Sequence, residues 1–152
     1  MSFIRANSKL AEPSTLPFSS PAPATRQPTI LVAEDHADTR ELLCILLKGW
    51  GFRVIEAADG LEAVEIAAKE RPQLILMDGR LPLLDGLDAT RRIRENALLN
   101  DVKIVALSGS ASPRYHAEAL AAGCDDSLPK PFDFDRLRTT VVQASLKSAH
   151  AA

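Results

Sequence analysis

The chain has 152 residues, with 18 Lys plus Arg against 20 Asp plus Glu and a net charge of −2. That is the size of one compact domain, and the balance excludes a global field that would draw the chain to nucleic acid or an anionic membrane. Cys44 and Cys124 fit neither a disulfide framework nor a zinc-ligand spacing and read as reduced, small apolar residues. No apolar run reaches the length of a membrane span and the N-terminal segment has no secretory-leader core, so a soluble, cytoplasmic protein without a membrane partner is expected.

From Glu12 to Pro28 the sequence EPSTLPFSSPAPATRQP is dominated by Pro, Ser, Ala and Thr, which bury too little apolar surface to offset the entropy of ordering. Residues 1–28 are therefore expected to form a disordered arm, in which Phe3, Ile4, Leu10, Leu16 and Phe18 could make a short partner-binding element. A domain follows over 29–147, and 148–152 read as a disordered tail.

From Thr29 on, short aliphatic runs alternate with helical patterns, the signature of repeated βα units. The first strand is TILVA (29–33). A helix over Ala37–Lys48 places Leu42, Leu43, Leu46 and Leu47 at helical spacing and stops at Gly49. The second strand, RVIEA (53–57), precedes a helix capped by Asp59, with Leu61, Val64 and Ala68 on one face and Pro72 beyond its end. Strand QLILM (73–77) leads to a helix over about Leu87–Glu95. Strand VKIVAL (102–107) leads to one from Pro113 to Ala122, stopped by Gly123. A weak strand near 126–128 is followed by a helix capped by Asp133, with Phe134, Leu137 and Val141 inward. Strands this apolar need helices on both faces. With right-handed crossovers they give an α/β fold, a doubly wound five-stranded parallel sheet of flavodoxin-like (βα)5 type in the order 2-1-3-4-5.

In such sheets the functional crevice lies at the carboxyl ends of the strands. There the sequence puts Glu34 and Asp35 after strand one, Asp78 after strand three, Ser108 after strand four and Lys130 after strand five. Three carboxylates converging on one pocket repel each other unless a cation is held among them. An oxygen-only donor set of this kind suits Mg²⁺, which keeps several waters and accepts phosphate oxygens. Formal charge supports this: the carboxylates carry three negative charges, and Lys130 with Mg²⁺ three positive. A phosphoryl group arriving on Asp78 would find the metal, the Lys130 ammonium and the Ser108 hydroxyl around it.

The segments LVAED, LILMDGRLPLLDG, IVALSG and LPKPF, in this order and at these spacings, resemble the four signature segments of response-regulator receiver domains of two-component signalling. The resemblance covers about residues 29–147. It implies that Glu34 and Asp35 hold Mg²⁺, directly or through water, with the Arg80 backbone carbonyl completing the protein ligands alongside Asp78. It further implies that Asp78 is the phosphoryl acceptor, Ser108 the switch hydroxyl and Lys130 the lysine that pairs with the phosphoryl group. Pro82, Asp85 and Gly86 match the turn after the acceptor strand, and Pro131 matches a proline preceded by a cis bond. A histidine kinase or phosphotransfer protein would be the donor, and the domain would catalyse its own phosphorylation and limit its own signal lifetime. With no DNA-binding segment after 147, output is expected through a downstream protein effector from a stand-alone receiver, and a phosphorylation-dependent homodimer is compatible with this.

One departure matters. Three positions before Lys130 the family usually carries Tyr or Phe, and this chain has Ser127, so output is expected to run instead through the segment following Ser108. Arg80 and Ser110 occupy positions that tune dephosphorylation. Arg91, Arg92 and Arg94 read as a solvated helix face, His36 as a helix-start residue, and Trp50 as packing at the end of helix one. The competing reading is a phosphorylation-independent scaffold, which Ser127 favours and the intact acidic set opposes. A flavin or nucleotide binder would need a phosphate cradle after strand one, where EDHADT instead repels phosphate. An Asp-nucleophile phosphatase would usually carry a second Asp where this chain has Arg80.

Overall fold

The computed structural model describes residues 27–109 and 112–151. The expected arm lies outside them save for its last two residues, as does Ser110. Five parallel strands are present: β1 (Thr29–Ala33), β2 (Arg53–Ala57), β3 (Leu74–Asp78), β4 (Lys103–Ser108) and β5 (Asp126–Pro129). They alternate with α1 (Ala37–Gly49), α2 (Gly60–Glu70), α3 (Gly86–Arg94), α4 (Pro113–Ala122) and α5 (Phe134–Ala151), with a 3-10 turn at Ala97–Leu99. The strand order is β2-β1-β3-β4-β5, the doubly wound order expected from the sequence. α5 runs on through residues 148–151, the segment read from the sequence as tail, whose alanines are strong helix formers.

Strand periodicity divides the interior into two layers. Leu31, Ala33, Ile75, Met77, Ile104 and Ala106 face Ala63 and Ala67 of α2, Ala89 and Ile93 of α3, and Ala119 of α4. On the other side Ile30, Val32, Leu74, Leu76, Val105 and Leu107 face Leu43 and Leu47 of α1 and Leu137 and Val141 of α5. β2 lies at an edge, with Arg53 and Glu56 exposed, as an edge strand should.

Three inward faces differ from expectation. In α2 the buried residues are Gly60, Ala63 and Ala67, while Leu61 and Ala68 are exposed and Val64 only packs at the side. The cause is close approach: a Cβ on Gly60 would stand 1.7 Å from the Leu84 carbonyl oxygen, so only a small-residue stripe can face that backbone. In α1, Leu42 is exposed and Cys44 is buried in its stead, because the contact stripe is centred on Leu43 and Leu47. Phe134 occupies the first position of α5 and is exposed, ahead of the stretch that Leu137 and Val141 press onto the sheet.

Helix ends carry the expected chemistry. Asp59 and Asp85 accept from the N–H groups of Glu62 and Asp88. Ser112 caps α4 ahead of Pro113, and Gly123, at φ 115°, ends it; such a φ suits glycine. His36 stands at the N-cap of α1 with no side-chain cap bond, and Trp50 at its C-cap. Trp50 packs against the α1 and α5 layer with the Arg138 guanidinium 5.8 Å from the ring centroid. Arg94 corrects the reading of a solvated face. Its guanidinium donates to the carbonyls of Gly123 (2.9 Å) and Val102 (2.8 Å) and to the Asp125 carboxylate (3.0 Å), tying α3 to the turns flanking β4 and β5. Arg91 pairs with Asp88, and Arg92 is exposed.

Candidate active site

Sheet register brings the chemistry together. Ala33 lies beside Met77, Asp78 beside Leu107 and Ser108 beside Pro129, so the chain leaves β1, β3, β4 and β5 at one level. The cavity there, about 500 Å³, is lined by Glu34, Asp35, Asp78, Arg80, Ser108 and Lys130, together with His36, Gly79, Leu107, Gly109 and Tyr115. Every site residue named from the sequence is therefore in one place.

Backbone bonds lock the rim. The Gly79 N–H donates to the Leu107 carbonyl at 3.1 Å, Gly86 to Gly79 at 3.0 Å, and Lys130 to Ser108 at 2.6 Å. Gly86 must be glycine, because a Cβ there would stand 2.0 Å from the Asp78 carbonyl oxygen. The Lys130–Pro131 bond is cis, as the resemblance implies.

Glu34, Asp35 and Asp78 each offer a carboxylate oxygen, and these lie within 4.8 Å of one another. Glu34 is 1% exposed and Asp78 6%. The Lys130 ammonium donates to Glu34 Oε1 at 2.6 Å and stands 3.4 Å from Asp78 Oδ2. Glu34 Oε2 accepts from the His36 N–H at 3.1 Å, and Asp78 Oδ1 from the Arg80 N–H at 3.1 Å. Burial alone would lower the Lys130 pKa, but the hydrogen bond to Glu34 and the charges of Asp78 and Glu34 outweigh it, and the ammonium is held above its usual range. The donor set is all oxygen and short of positive charge, the chemistry that a hard divalent ion matches.

The sequence profile of the response regulator receiver domain matches residues 30–142. The chain belongs to the response regulator receiver family. The response regulator MprA of Mycobacterium ulcerans is 36% identical over 127 residues, covering 81% of this chain and 54% of that protein. The receiver thus spans about half the length of the curated relatives it matches. Among solved structures, the receiver domain of a sensor histidine kinase from Pseudomonas aeruginosa PAO1, with a magnesium ion coordinated in its active site cleft, is 37% identical. It has a TM-score of 0.74 and covers 79% of this chain and 98% of that one. A co-crystal structure of the Saccharomyces cerevisiae histidine phosphotransfer signaling protein Ypd1 and the receiver domain of its downstream response regulator Ssk1 also matches. There the identity is 30% and the TM-score 0.76, over 81% of this chain and 92% of that one.

Two features of this receiver escaped the sequence reading. Tyr115, in the first turn of α4, turns into the cavity, and its hydroxyl lies where a Gly79 side chain would stand. Burial, then the charges of Cys124, Asp78 and Asp85, push its pKa up to about 12. The usable signal was the pairing of a glycine next to Asp78 with an aromatic at the start of the helix after β4. The second feature is a contact of 2.6 Å between His116 Nδ1 and Ser127 Oγ, which joins α4 to β5 at the position where the family usually has its aromatic. Cys44 and Cys124 are both buried, and burial raises both thiol pKa values, which fits the inert reading.

Proposed function

We propose that the receiver accepts a phosphoryl group on Asp78 in a Mg²⁺-dependent reaction and signals through protein partners. The observation that carries this is the clustering of Glu34, Asp35 and Asp78 oxygens within 4.8 Å, with Lys130 reaching both buried carboxylates. Such a cluster has no structural economy: it gathers three like charges, only two of which the one ammonium reaches, at a cost to the fold. It makes chemical sense as a site that binds a cation and then a phosphate.

Glu34, Asp35 and Asp78 would hold the ion, with the Arg80 carbonyl as a further ligand. When bound, Mg²⁺ supplies charge neutralisation for the phosphate oxygens. The remaining work belongs to the chain. The Arg80 N–H on Oδ1 and Lys130 beside Oδ2 orient the Asp78 carboxylate for in-line attack on phosphorus. As the Asp78 oxygen–phosphorus bond forms, the bond from phosphorus to a donor imidazole nitrogen, or to an acyl phosphate oxygen, breaks. The leaving atom takes the electron pair, an imidazole then standing neutral and a carboxylate ionised. Lys130 and the Ser108 hydroxyl hold the equatorial oxygens where charge accumulates. A histidine phosphotransfer protein or histidine kinase is the fitting donor, in line with the similarity to a receiver co-crystallised with Ypd1.

Intact-protein mass after incubation with acetyl phosphate and Mg²⁺ tests the proposal. Wild type should gain one phosphoryl mass, Asp78→Asn none, and chelation of the metal should abolish the gain. A wild-type chain that gains no mass, and whose amide spectrum ignores beryllofluoride with Mg²⁺, would be a phosphorylation-independent scaffold instead.

A further inference from the structure

The Tyr115 hydroxyl is buried and has no hydrogen-bond partner among the described residues. Buried hydroxyls nearly always have one, so an orphan of this kind calls for a cause. This one lines the same cavity as the acidic cluster and rests on Gly79, the residue after Asp78: a Cβ on Gly79 would come within 2.1 Å of the hydroxyl oxygen and 3.0 Å of Cζ. The glycine is what lets the phenol in. Tyr115 also stands beside His116, whose ring reaches Ser127 on β5 at 2.6 Å. One turn of α4 thus touches the acceptor's neighbour through one side chain and the last strand through the next.

We infer that Tyr115 is the positioning residue that reports the state of Asp78 to α4 and β5. The inference rests on the proposal that Asp78 is the phosphoryl acceptor. In the resting receiver the phenol faces a pocket whose buried carboxylates, Glu34 and Asp78, are already held by Lys130 and by the His36 and Arg80 N–H groups. A phosphoryl group on Asp78 adds acceptor oxygens to that pocket, and the unpartnered hydroxyl gains a reason to move. The ring is part of the first turn of α4, behind the Ser112 cap, so its displacement shifts that turn and strains the His116–Ser127 contact. The output face of this chain is then set by an aromatic carried on α4, in a receiver whose β5 position holds serine.

Tyr115 is the only tyrosine in the chain, so its ring signal in a carbon-13 spectrum of tyrosine-labelled protein is unambiguous. The experiment follows that signal, and the amides of His116, Ser127 and Lys130, on adding beryllofluoride and Mg²⁺. Intact mass after acetyl phosphate treatment is read on the same preparation. The expected result is a mass gain, a displaced Tyr115 ring signal and moved amides at all three positions. In Tyr115→Phe the Lys130 amide should still move, while the changes at His116 and Ser127 shrink at least about threefold. A mass gain with an unmoved Tyr115 ring, or full-sized changes at His116 and Ser127 in Tyr115→Phe, overturns the inference alone. A Tyr115→Phe protein whose Lys130 amide no longer responds also overturns it, because the hydroxyl would then be holding the ligand. Absence of any mass gain in wild type overturns the acceptor proposal and this inference with it.

Discussion

Lys130 is the one cation within reach of two buried carboxylates among the described residues, bonding Glu34 at 2.6 Å and standing 3.4 Å from Asp78. Removing the partner of a buried charge costs more than the pair itself contributes. With Lys130 a quarter exposed, Lys130→Met should cost about 2 kcal/mol of unfolding free energy, measured by urea unfolding without divalent ions. The folded pKa of Lys130 lies above its ordinary 10.5. Its contribution is therefore complete below that value and is lost as pH rises through the raised one. Wild-type stability should fall with pH in that alkaline window, and the fall should be shallower in Lys130→Met. Tyr115 acts in the same direction. The folded state keeps its proton up to about 12 whereas a free phenol loses it near 10.0, so stability drains away between those values. An ultraviolet titration should show the tyrosinate of the native protein appearing near 12; a midpoint close to 10 would mean that the phenol is not seated on Gly79.

The elements hold their places through two glycines at which backbone meets backbone. Gly86→Ala would drive a Cβ to 2.0 Å from the Asp78 carbonyl oxygen; neither partner is a flexible side chain, so α3 must move away from β3. A loss of about 3 kcal/mol or more is expected, together with slower phosphorylation because the end of β3 moves. Gly49→Ala is the contrast. Nothing lies within 4 Å of a Cβ there, the residue closes α1, and stability should be unchanged or higher by about 0.5 kcal/mol. Thermal unfolding of both variants beside wild type decides this. Gly60 and Gly86 also show what was legible in the sequence. The strands, their order and the convergence of Glu34, Asp35, Asp78, Ser108 and Lys130 follow from local periodicity and one topological rule. The inward face of α2 does not, because Gly60 is read against a carbonyl in the β3–α3 turn, more than twenty residues on. Arg94 and Tyr115 were missed for the same reason: a charged or aromatic side chain on a short amphipathic helix looks solvated until the tertiary neighbour that holds it is in place.

Across the whole molecule, the cavity is where the fold gives up stability. Two well-packed apolar layers flank the sheet, while at its carboxyl edge three carboxylates crowd together and one ammonium reaches two of them. A ligand that binds the native state alone returns that stability by mass action, about 2.7 kcal/mol at a hundredfold excess over its dissociation constant. For a domain of this size that is roughly 10 °C in Tm. Mg²⁺ should therefore raise the melting temperature of wild type in a concentration-dependent way, and Asp35→Asn, which removes the carboxylate on the exposed side of the cluster, should shift the response to much higher Mg²⁺. Asp78→Asn makes the sign of the argument testable. Replacing one of three crowded carboxylates by a neutral amide relieves repulsion, so without metal this variant should melt above wild type. With Mg²⁺ it should gain less, and the two curves should converge or cross. If Asp78→Asn melts below wild type without metal, the carboxylates are not in mutual strain in the resting receiver, Lys130 and the backbone N–H groups having already settled their charge. The cation would then be recruited by the incoming phosphate and not by the empty cluster.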